Sequence, residues 1–94
     1  MPSIGVLTLE LKIEGAHSLK EKRHVVKSLK DRLRHKFNVA VAEIDYQDVW
    51  QHALVSAVTV SSSHVHAEAV LQAVENEAAS ILGAALVSAT LEWI

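Results

Sequence analysis

Apolar and polar residues alternate along IGVLTLELKI, from Ile4 to Ile13, with Leu7, Leu9, Leu11 and Ile13 interleaved with Thr8, Glu10 and Lys12. A period of two predicts a half-buried strand. Glu14 and Gly15 turn the chain, and the spacing then changes. Ser18 followed by Glu21 forms a capping box, in which hydroxyl and carboxylate each satisfy an orphaned backbone NH at a helix start. Leu19, Val26, Leu29, Leu33 and Phe37 follow at intervals of three or four residues or their multiples, predicting a helix to about Phe37. Asn38 suits a left-handed helix stop before a second strand, Val39 to Ile44. After a turn over Asp45 to Val49, a third strand runs from Trp50 to Val60, and Ser61, Ser62 and Ser63 offer caps for a second helix. That helix sets Ala67, Val70, Leu71, Val74, Ala78, Ile81 and Leu82 on one face, stops at Gly83, and leads into a fourth strand, Ala85 to Ile94.

The order βαββαβ, with two helices greasy on one side only, predicts a ferredoxin-like α+β sandwich: a four-stranded antiparallel sheet in the order 4-1-3-2 with both helices on one face. No repeat, linker or low-complexity segment interrupts it, so residues 1–94 are expected to form one domain.

With 50% of its residues apolar, the chain has ample material for a core, and with no cysteine it offers no disulfide, thiolate metal site or thiol nucleophile. The apolar run Ile4 to Leu11 follows no positively charged leader, is broken by Glu10 and is too short to cross a bilayer. The expectation is a soluble cytoplasmic protein with no membrane partner.

Charge sharpens the picture. Between His17 and Lys36 eight Lys or Arg face two acids, a balance of +6, whereas the rest of the chain sets Lys12 against nine acids, −8, and the parts sum to the overall −2. At about 100° per residue, Lys20, Arg23, Lys27, Lys30 and Arg34 fall in one stripe along a border of the first helix's apolar face. Such a stripe can track a phosphate backbone, with counterion release making affinity fall with salt. The competing reading is a solvated helix face paired with nearby acids, for which Glu68, Glu75 and Glu77 are candidates. RNA-recognition domains of this topology stack bases on aromatics of the two central strands, and here only Trp50 stands at a strand end, so RNA would meet the helix rather than the sheet.

The run HSLKEKRHVVKSLKDRLRHKFNVAVAEID, followed shortly by DVW, resembles the YlxP-like family of small bacterial proteins, over nearly the whole chain and most specifically at SLKEKR. The resemblance implies a ferredoxin-like fold and a genomic setting among transcription and translation genes. It carries over no catalytic or binding residue.

Other constellations are thinner. Glu43, Asp45, Asp48 and His52 are the one dense group of acids and histidine, but turns recruit Asp for their own backbone as readily as for a metal. His64 and His66, two apart on a helix, point about 200° away from each other. No phosphate-cradling glycine loop, nucleophile elbow or zinc motif occurs, so no catalytic residue, metal ligand or cofactor is assigned. The uncovered sheet face is expected to be apolar whichever way the third strand faces, since Leu54, Ser56, Val58 and Val60 alternate with Ala53, Val55, Ala57 and Thr59. The fourth strand is a predicted edge with the single charge Glu92. Both point to a homo-oligomer, most simply a dimer, with Val55, Val58, Ser88 and Leu91 as candidate interface residues. The function expected is a non-enzymatic module contacting RNA or a ribosome-related assembly through the basic helix. The alternatives are an oligomeric small-molecule-binding or catalytic protein using the open sheet face, and a protein-interaction adaptor.

Overall fold

Leu7, Leu9 and Leu11 lie on one side of β1 (Ser3–Lys12) and are sealed from solvent, as their alternation requires. The structure, a computed structural model, describes all 94 residues. α1 (Leu19–Lys36) follows, then β2 (Ala40–Asp45), β3 (His52–Ser61), α2 (His64–Leu82), a short 3-10 turn over Gly83–Ala85, and β4 (Leu86–Trp93). All pairings are antiparallel: β1 meets β3 with Leu9 opposite Val55, β1 meets β4 with Leu9 opposite Ala89, and β2 meets β3 with Val41 opposite Ala57. The sheet order is β2-β3-β1-β4, the expected order read from the other edge, so β2 and β4 are the edges. Both helices cover one face, where Val26, Leu29 and Leu33 of α1 and Leu71, Val74 and Ala78 of α2 close the core over the inward residues of β1, β2 and β3.

Local chemistry fixes the ends. The Ser18 hydroxyl accepts from the Glu21 NH at 3.1 Å, while the Glu21 carboxylate reaches back to the His17 NH at 2.6 Å, so the capping box forms with its return bond one residue earlier than the standard pattern. Ser63 caps α2 through the His66 NH. Gly83 ends α2 at φ 55°. α1 does not end on a left-handed Asn38. Phe37 leaves the helix extended, the Val39 NH donates to the Phe37 carbonyl at 3.0 Å, and the one non-glycine residue at positive φ is Tyr46, at 63°, in the turn between β2 and β3.

The open face also departs from expectation. Val55 is fully buried beneath the helices, and Leu91, opposite Leu7, lies on the helix side of β4 as well. Neither lines the uncovered face. Val55 and Val58 lie three positions apart, as do Ser88 and Leu91, so neither pair can share a face. The uncovered face carries Val58 and Ser88, and its middle is a polar row running from Ser56 through Thr8 to Thr90, with a 2.9 Å hydrogen bond between the Ser56 and Thr8 hydroxyls.

Candidate functional site

The cations of α1 meet three environments, set by their angle around the helix. Lys22 falls on the apolar side, one turn before Val26, and is completely buried. Its ammonium donates to Glu43 Oε2 at 2.7 Å and to the carbonyls of Tyr46 at 2.8 Å and Gln47 at 3.2 Å, with the His52 carbonyl at 3.5 Å. Glu43 is in reach because it follows Val41 by two residues on the helix side of β2. A buried ammonium is tolerated only when paired and hydrogen-bonded, and here one carboxylate and a ring of carbonyls do both. The consequence is mechanical: Lys22 clamps the first turns of α1 to the turn between β2 and β3. Sequence reading passed it over within SLKEKR. The signal was there, since Lys22, Val26, Leu29 and Leu33 recur at core spacing.

On the flank facing α2, Arg32 and Lys36 converge on Glu77, at 3.4 and 2.7 Å. The hydrogen bond from Lys36 and the two nearby cations hold the Glu77 carboxyl below the usual glutamate range. Of the three acids proposed as partners for the basic helix, Glu77 takes that role. Glu68 lies instead 3.7 Å from His64 on its own helix, and Glu75 pairs with no cation.

The opposite flank looks outward past the β2 edge. Arg23, Lys27, Lys30 and Arg34 line a groove of about 360 Å³ with Val26, Asp31 and Glu43. Both acids of the groove are engaged. Asp31 accepts from Lys27 at 2.6 Å, a bond that lowers its pKa, and Glu43 holds Lys22. Arg23 and Lys30 make no ion pair, and Arg34 reaches only the Val41 carbonyl at 3.5 Å. Lys20, the first residue of the predicted stripe, is exposed beside Ser18, Glu21, His24 and Val25 and does not line this groove.

The acid and histidine group of the β2–β3 turn is dispersed into separate pairings. Glu43 turns inward to Lys22, and Asp45 Oδ1 accepts from the Tyr46 NH at 2.8 Å. His52 lies on the open face, stacked on Tyr46 with centroids 4.0 Å apart and 2.9 Å from Glu10 Oε2. The bonds from His52 and from the Ser88 hydroxyl, 3.1 Å from Glu10 Oε1, keep Glu10 below the usual glutamate range. No three His, Asp or Glu side chains converge as metal ligands. Ile44 near the end of β2, and Val49 and Trp50 in the turn, are exposed.

Fold and groove together define a ferredoxin-like α+β protein whose basic helix lies over one sheet edge. Similarity to solved structures supports the fold. The solution NMR structure of a designed protein with ferredoxin fold, LFR1 1, aligns over 100% of this chain and 84% of that one, at a TM-score of 0.51 and 15% identity. A crystal structure described as a dimeric ferredoxin-like protein of unknown function from Thermobifida fusca aligns over 97% of this chain and 90% of that one, at 0.50 and 10% identity. Residues 4–91 match the family described as Protein of unknown function (DUF503). The Bacillus subtilis (strain 168) protein named Uncharacterized protein YlxP is 48% identical over 71 residues, 76% of this chain and 77% of that protein. The chain therefore belongs to the YlxP-like DUF503 family. No helix is long and apolar enough to cross a membrane.

Proposed function

We propose that the protein is a non-enzymatic module that binds RNA, free or within a ribosome-related assembly, through the groove between α1 and the β2 edge. The observation that carries this reading is the set of cations left without a carboxylate, Arg23, Lys30 and Arg34, gathered in one groove whose acids are already engaged. Guanidinium and ammonium groups held free in this way suit phosphate oxygens, and each contact releases counterions. Lys27 joins them at the rim, and Lys20 extends the positive field beyond the groove. The test is fluorescence anisotropy with a single-stranded RNA oligonucleotide over a salt series, alongside cosedimentation with ribosomes. Replacing Arg23, Lys30 and Arg34 together by Glu should weaken binding by at least ~100-fold and flatten the salt dependence by about 0.7 per lost phosphate contact. Binding that ignores salt, or survives the charge reversal, refutes the reading.

One observation favours a second reading. Ile44 near the end of β2, and Val49 and Trp50 in the turn that Lys22 braces, are exposed large apolar side chains of the kind that anchors protein contacts. For a protein-interaction adaptor, Trp50→Ala would abolish partner capture while the triple charge reversal would not.

A further inference from the structure

The two sheet edges differ in what stands over them, and the difference selects a partner. We infer that a second copy of this chain pairs antiparallel with β4, with the two-fold axis passing at Thr90, to give a continuous sheet of eight strands, four from each copy. This goes beyond the RNA reading and rests on different residues.

At β2, self-pairing is opposed. α1 packs over this edge, so a two-fold pair would set two α1 helices side by side and bring the Arg23, Lys27, Lys30 and Arg34 rows of both copies together. β2 is also broken by a register shift between Glu43 and Asp45. Charge and bulges are devices that keep edges from pairing. β4 has neither a Lys nor a Pro, its one charge is Glu92, and its pairing with β1 is regular from Ser88 to Trp93. The open face offers less, because the Ser56, Thr8 and Thr90 row crosses its middle.

Coverage points the same way. α2 packs over β1 and β3 and leaves the helix side of β4 half-dressed: Leu91 and Trp93 lie on that side yet remain 40% and 36% exposed. A second β4 would supply the missing neighbours.

The sequence of β4 then favours one register. Residues directly opposite across an antiparallel pair must lie on the same face, so a two-fold axis has to pass at a single residue position. Centred on Thr90, Ala89 faces the partner's Leu91 on the helix side, apolar against apolar, and Ser88 faces the partner's Glu92 on the open side, which keeps the two Glu92 carboxylates apart. Centring on Ala89 runs into the register shift at Val87, just before Ser88, and centring on Leu91 would set Ser88 against Ile94, beyond the end of β4. Centring on Glu92 would set that carboxylate against itself.

The absence of cysteine makes the test clean. Opposed residues in such a pair have Cα atoms about 4.5–5.5 Å apart, within disulfide reach. In the otherwise wild-type chain, without nucleic acid, Thr90→Cys should give a covalent dimer on mild oxidation. Val58→Cys on the open face and Ala42→Cys on β2 should not. Light scattering at micromolar concentration should return twice the chain mass for the wild type and the chain mass for Thr90→Glu, which opposes two carboxylates at the axis from an exposed position. A wild-type monomer, an unchanged Thr90→Glu dimer, or cross-linking favoured at Val58 or Ala42 overturns the proposal. Since α1 is untouched throughout, none of these results bears on RNA binding.

Discussion

The β2 side of the molecule is held by charge and the β4 side by shape. On the β2 side, Lys22 ties α1 to the turn after β2 through Glu43 and backbone carbonyls, and Glu77 ties α1 to α2. On the β4 side, Trp93 packs on Gly5 of β1 and against His64 of α2, with rings 4.0 Å apart, and no carboxylate–ammonium pair takes part. The same scaffold thus has one flank whose integrity depends on protonation and partner geometry and another that depends on van der Waals fit. What is left over along the two edges differs accordingly: unpaired cations beside β2, half-covered Leu91 and Trp93 on β4. The two proposed binding modes follow from those remainders.

The contrast breaks most sharply at Lys22. Lys22→Met removes one partner of a buried pair and leaves Glu43 facing the space vacated by the ammonium. The expected loss is about 3–5 kcal/mol in urea unfolding followed by tryptophan fluorescence. Replacing both, Lys22→Met with Glu43→Leu, should recover most of it, because the desolvation cost disappears with the pair. A single-variant loss below about 1 kcal/mol would show that Lys22 is no clamp.

On the other side the comparable probe is Gly5. A Cβ built there would lie 2.6 Å from Leu71 Cδ1 and 2.8 Å from the Trp93 ring, closer than carbon atoms pack. Gly5→Ala should therefore cost about 1–3 kcal/mol and shift the Trp93 emission. An unchanged stability would mean that β4 is not seated by this contact.

The smallest effect distinguishes the sides by acid. Glu77, Asp31 and Glu10 all have carboxyls held below their ordinary range, by the bonds from Lys36, from Lys27, and from His52 and Ser88 respectively. A depressed folded-state pKa contributes stability that is fully present above the unfolded value, about 4 for these residues, and is lost as pH falls through the folded value. Stability should decline below about pH 4, and Glu77→Gln should make that decline shallower while changing little at pH 7. A decline of equal steepness in the variant would remove Glu77 from the account.

Much of this was legible in the chain, and the failures have specific causes. The alternation of Leu7, Leu9 and Leu11 and the Ser18–Glu21 box required only local rules, and local rules were enough. The side on which β3 faces was not legible, because both of its alternating sets are small or apolar and alternation carries no sign there. Val55 and Val58 therefore both stand as candidates for the exposed side, and only the fold shows Val55 to be core. Lys22 was hidden for the opposite reason. Its residue type says surface while its position says core, and the conflict resolves only once β2 brings Glu43 and the turn carbonyls to it. The groove lay between these cases. Four of its cations were on the predicted stripe, but that Asp31 and Glu43 are already engaged, leaving three of the four without a carboxylate, is a fact of tertiary pairing.

The burial of Lys22 also makes the molecule a reporter of its own opening. An amine reacts with acylating reagents only when its lone pair can meet solvent, and the Lys22 nitrogen is enclosed by Glu43, Tyr46 and Gln47 while Lys27 and Lys36 stand largely exposed. In the folded protein the exposed lysines are labelled first. Lys22 is labelled only when the β2–β3 turn lifts from α1 or the whole chain unfolds, so labelling faster than global unfolding allows measures the free energy of local opening, in a region next to the proposed RNA groove.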